Sequence, residues 1–191
     1  MMSQNSFINP FRYVAGTRAL VIGLAGMLLT AIIAWNSKTH FDGVLDAHFG
    51  MEAPLSLFII EGVISWLCAV VCFYVAGMTL TRSSVRIVDI AGTIAFARLP
   101  MIFVALVGFF VSGTPVNIED IDTSFIVAGV VGMLFTIWMV TWMYQAYIIS
   151  SNLKGAKGII SFIVTLIVAE VVSKLLFSLD YYDSFNQLNI N

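Results

Sequence analysis

Residues 89–112, DIAGTIAFARLPMIFVALVGFFVS, decide how the chain is read. At about 1.5 Å of rise per residue this apolar run is long enough to cross a bilayer, yet it carries Arg98 near its middle and Pro100 two residues later. An unpaired guanidinium at the centre of a membrane helix costs about 2.5–3.5 kcal/mol on insertion scales, so the rest of the chain must supply an interior for it. Helical spacing puts Ala91, Ala95, Arg98, Ile102, Ala105 and Ser112 on one face, a stripe of mostly small residues where a second helix comes close. That face is expected to point into protein. Pro100 lacks the amide hydrogen that would bond the Phe96 carbonyl, which predicts a bend and a freed acceptor beside Arg98.

Composition places the whole chain in the same class. Its 191 residues are 60% hydrophobic and 10% charged, with a mean hydropathy of +0.97, far from a soluble domain. A net charge of −2 and the lack of any Lys/Arg run argue against a nucleic-acid partner. Cys68 and Cys72 lie four apart in an apolar run and read as small packing residues.

Four further runs match the first in length. The spans are expected at about 19–36, 55–80, 89–112, 125–149 and 158–179, giving an all-α, polytopic bundle of five transmembrane helices in one domain. Asn9-Pro10 reads as a helix start ahead of Arg12 and Arg18; the run after them is longer than a signal-peptide core and lacks an A-x-A site, so it reads as a retained span. Gly26, Thr30 and Ala34 recur at every fourth position, as close helix packing requires. In the second span Glu61, Ser65, Cys68, Cys72 and Ala76 share the face expected to be buried.

The connections carry the polar residues. Residues 36–54, NSKTHFDGVLDAHFGMEAP, are too polar to span; Phe41, Val44, Leu45, His48 and Phe49 follow helical spacing with Asp42 and Asp46 on another side. A short interfacial helix over about 41–49 is the expectation. His40, Asp42, Asp46, His48 and Glu52 are capable of binding metal, but their spacing matches no strong zinc motif and a solvated helix face accounts for them, so no metal is assigned. Ser83 or Ser84 is expected to cap the third span, with Asp89 in its first turn near Arg86. Gly113 to Thr123, with Glu119, Asp120 and Asp122, reads as a solvated acidic connection and not as an EF-hand loop. Trp138, Trp142, Tyr144 and Tyr147 are expected mostly at the membrane interface.

Arg12, Arg18, Arg82, Arg86, Lys154 and Lys157 fall in the N-terminal segment and alternate connections, against Lys38 alone in the others. The positive-inside rule therefore predicts a cytoplasmic N-terminus and a C-terminus outside.

Four charges remain inside the spans. Arg98 and Glu170 are expected near the midplane, with Glu61 and Lys174 roughly 8 Å towards the outer face. Matching depths predict the pairs Arg98–Glu170 and Glu61–Lys174, with Glu170 and Lys174 also spaced i, i+4 on one helix. Such a network either fixes which helices meet or lines a path for an ion, proton or headgroup. Two positive and two negative groups neutralise each other, which favours the first. No H-E-x-x-H, no phosphate-cradling glycine motif and no serine–histidine–acid set is present, so no catalytic residue and no cofactor are assigned.

Five spans, a cytoplasmic N-terminus and the segment Ala95-Phe96-Ala97-Arg98-Leu99-Pro100 resemble the YIP membrane family, whose third-span motif is of the type aromatic-x-x-Leu-Pro. The match is Phe96, Leu99 and Pro100, with Arg98 where the family often has serine, and the resemblance runs from about Phe11 to Leu179. Eukaryotic members interact with Rab-type GTPases through a long N-terminal region whose motif this chain lacks, so that partner is not carried over. The resemblance is to the compact bacterial members. It implies a multi-pass protein of the bacterial cytoplasmic membrane, non-enzymatic, organising membrane lipids, a protein partner or a homo-oligomer. A small transporter or channel using Glu61, Arg98, Glu170 and Lys174 is the alternative.

Overall fold

A computed structural model describes residues 10–50, 52–81, 84–111 and 122–178. After a 3-10 turn at Pro10–Arg12 come α1 (Gly16–Ser37), strands β1 (Thr39–His40) and β2 (His48–Phe49), and α2 (Leu55–Leu80). Then follow α3 (Ile87–Ala97), α4 (Met101–Val107) with a closing 3-10 turn to Phe110, α5 (Thr123–Ser151) and α6 (Gly155–Ser178). Helices α3 and α4 together make one span, so five helical segments are long and apolar enough to cross a membrane. The all-α membrane bundle expected from the sequence is what forms.

The third span is the most enclosed of the five. It packs most extensively on α1 through α3, and also touches α2 and α5. Glycines set the approach: a Cβ at Gly23 would stand 2.5 Å from the Ala95 carbonyl carbon, and one at Gly92 would stand 2.4 Å from the Gly16 carbonyl oxygen. Backbone meets backbone at both points, as small residues permit in membrane helices. A Cβ at Gly26 would overlap the Leu99 side chain, so the Gly26, Thr30 and Ala34 stripe also faces protein.

The span breaks where Pro100 requires it. Residues 98–100 form a turn in which Arg98, Leu99, Met101 and Ile102 donate their amides three residues back. The Phe96 carbonyl is taken by the Leu99 amide at 3.1 Å, so the acceptor expected to be free is satisfied locally by the tighter turn.

The local structure corrects one expectation and adds detail to others. Arg86, and not a serine, stands at the N-cap of α3; Ser83 and Asn9 lie outside the described residues. Asp89 does sit in the first turn, 3.8 Å from Arg86. Trp142 and Tyr147 face into the bundle. Tyr147 is fully buried, packs on Phe73 with centroids 4.9 Å apart, and shares a 2.6 Å hydrogen bond with Ser161; Trp142 stacks on Phe96. Aromatic position along a span does not report which face the ring occupies. Asp122 caps α5 by accepting from the Phe125 amide at 2.7 Å, which, with Ser124, holds its carboxyl below the usual range.

Replacing Gly23 with valine is expected to force α1 from α3 and cost about 1–3 kcal/mol. The same change at Gly129, where a Cβ meets nothing within 4 Å, leaves packing untouched. Melting curves of the two variants in the same detergent check the difference.

Candidate functional site

The connection between α1 and α2 does not form the expected helix over 41–49. It folds back among the spans as a narrow hairpin, with Thr39 opposite Phe49 and His40 opposite His48. Lys38 starts it in the left-handed conformation, and the Gly50 amide closes it on the Lys38 carbonyl at 2.9 Å. Val44 at its tip is fully buried. A two-strand segment in an apolar setting leaves backbone groups that no water reaches, and these must bond to protein.

The charged residues of the spans do this. Glu61 accepts the Phe41 amide at 3.0 Å, while Ser65, one turn further along α2, donates to the Phe41 carbonyl at 3.1 Å. From α6, Glu170 accepts the Leu45 amide at 2.8 Å and Ser173 accepts the Val44 amide at 3.3 Å. Arg98, at the break of the third span, donates to the Val44 carbonyl at 3.3 Å. Arg98 lies about 17 Å from either end of its span, so the tip reaches the middle of the bundle. Proline and arginine thus act together: the break ends α3, and the guanidinium next to it holds the loop.

The predicted ion pairs are replaced by these contacts. Lys174 pairs with Asp42 at 2.9 Å and with Asp46, both on the hairpin, and not with Glu61 or Glu170. Glu61 instead bonds His40 Nδ1 at 2.8 Å, with His40 2% and Glu61 0% exposed. Glu170 acts on Arg98 as an opposing charge without an ion-pair contact. All four residues singled out from the sequence therefore converge, but on the loop between them. Depth matching failed because it assumed that helices were the only partners in the bilayer.

His40 is a further residue of the site, sandwiched by Phe58 with centroids 4.5 Å apart and by His48 at 5.3 Å. His48 Nδ1 lies 3.4 Å from Asp42. Burial raises the Asp42 carboxyl, but hydrogen bonds from His48 and Lys174 outweigh it and hold the pKa at about 2. Asp42, Asp46 and His48 bring their ligand atoms within 4.8 Å of one another. The Lys174 ammonium already bridges the two carboxylates, so this set needs no metal to balance it. Glu52, the remaining metal-capable residue, pairs with Lys38 at the exposed rim. Two glycines make room for the hairpin. A Cβ at Gly43 would stand 2.6 Å from Glu170 Oε1, and one at Gly108 would stand 2.1 Å from Thr39 Oγ1.

No family model, curated protein or solved structure matches the chain. Fold and site define a class, a five-span integral membrane protein whose first connection is clamped inside the bundle by charged side chains of three spans.

Because the Asp42 pKa is depressed in the folded state, its contribution to stability is present above the ordinary value of 3.8 and is lost as pH falls towards about 2. The melting-temperature difference between wild type and Asp42→Asn is expected to shrink as pH falls from about 4 towards 2. Thermal scans across that range test the ion cluster.

Proposed function

We propose that the protein is a non-enzymatic membrane protein of YIP-like type that organises membrane lipids or partner proteins in a bacterial cytoplasmic membrane, with its N-terminus in the cytoplasm. The observation that carries this reading is the use made of the intramembrane charges: Glu61, Arg98 and Glu170 bind the hairpin backbone, and Lys174 binds its side chains. Groups spent on holding a loop are not arranged along an open path. The lateral surface supports lipid contact, with an apolar groove of about 360 Å³ where Leu45 of the hairpin meets Met133, Ile137, Val140 and Tyr144 of α5. A bundle whose loop is clamped by three spans and that presents such a surface suits lipid or partner binding better than alternating access.

Transport is the second reading, and one observation favours it. The hairpin adds Asp42 and Asp46 to Glu61 and Glu170, four carboxylates against Arg98 and Lys174, so with His40 and His48 counted neutral the neutrality read from the four span charges no longer holds. Proton and potassium flux into phosphatidylethanolamine–phosphatidylglycerol vesicles separates the two. Flux equal to empty vesicles, with lipid retained on the purified protein in native mass spectrometry, is expected. Flux above background that a folded Glu170→Gln variant loses would establish transport instead.

A further inference from the structure

Arg98 is 4% exposed, and a guanidinium carries five N–H donors. One of its hydrogen bonds to protein is in place, to the Val44 carbonyl. Glu170 supplies opposing charge without direct contact. A buried cation with donors left over is costly unless something accepts from them.

The side chain borders a small, partly open pocket of about 20 Å³, lined by Met27 and Thr30 of α1, Phe41 of the hairpin, Phe58 and Gly62 of α2, and Met101 of α4. A cavity must offer about 10–15 Å³ to hold one water, and that water needs two or more polar partners. Both conditions are met. The guanidinium offers donors, and the Thr30 hydroxyl, whose hydrogen goes to the Gly26 carbonyl at 2.8 Å, keeps its lone pairs as acceptors. Glu61 adjoins Gly62 in sequence and Glu170 acts on the same guanidinium, so the surroundings disfavour a second anion.

We infer that this cavity is a binding site for an ordered water at the middle of the bundle, accepting from Arg98 and donating to Thr30. The water completes the solvation of the one arginine buried among the described residues of the spans, and it lies where α1, α2 and the hairpin meet. It turns the Arg98 contact from a single hydrogen bond into a bridge that joins the hairpin, the third span and α1.

Gly62 gives the test its sign. Gly62 lines the pocket and a Cβ there meets nothing within 4 Å, so Gly62→Val sets its methyl groups at the open side of the pocket, where they displace an occupant without a backbone clash. Filling a dry cavity stabilises, whereas expelling a bonded water leaves donors orphaned. Gly129→Val, in equally open surroundings, controls for the effect of valine on helix propensity. Relative to that control, Gly62→Val is expected to lower the melting temperature by about 3 °C, and the sign is expected to reverse in an Arg98→Met background. If Arg98→Met does not fold, Thr30→Val removes the second partner and serves as the background. A Gly62→Val protein that melts no lower than its control overturns the inference. So does a melting temperature that rises with chloride at fixed ionic strength, against gluconate, and loses that dependence in Gly62→Val, because the occupant is then an anion.

Discussion

A backbone that leaves the helical conformation inside an apolar layer must find every hydrogen-bond partner within the protein, and the structure follows from that constraint. The hairpin at 39–49 exposes amides and carbonyls at a depth where water does not compete. Each polar position that the spans carry there answers one of them: Glu61 and Ser65 at Phe41, Arg98 and Ser173 at Val44, Glu170 at Leu45. Removing the hairpin would leave these side chains as uncompensated polar groups in hydrocarbon. Removing them would strand the hairpin. Neither is stable without the other.

The second dependence is steric. Arg98 reaches the hairpin because the third span stops being an α-helix at residue 98, and it stops there because Pro100 cannot donate. That broken span must lie close to α1, from whose end the hairpin departs. Gly23 and Gly92 permit the approach by letting the two backbones touch. Gly108 then leaves space for Thr39 at the base of the hairpin, so small residues in the third span serve both its packing and its polar neighbour.

The spans, their lengths and the buried faces around Arg98 and Glu61 were legible in the sequence because apolar length and helical spacing are local properties. The residues of the site were legible too, since a charge in an apolar run must be explained. Their partners were not. Phe41, Val44, Leu45, His48 and Phe49 keep helical spacing, and that period suggested a surface helix, yet the same residues fold as a hairpin whose stability comes from Glu170 and Ser173, more than a hundred residues away. A local pattern cannot report a distant acceptor. The combination of Gly43 with flanking Asp42 and Asp46 was the available signal for a turn, and Ser65 and Ser173, each one turn or less from a charge, were the signal for something bonded between spans.

The distance between the hairpin and its last clamp has a consequence for biosynthesis. The Leu45 amide and the Asp42 carboxylate find their partners 125 and 132 residues later, on α6. While the ribosome is still making the middle of the chain, the first connection has left the translocation machinery without Glu170, Ser173 or Lys174, and its backbone can be solvated only at the water boundary. Its contacts to α6 can form only when the fifth span arrives, so a chain cut before α6 keeps Glu61, Ser65 and Arg98 as partners of the hairpin and lacks Glu170, Ser173 and Lys174.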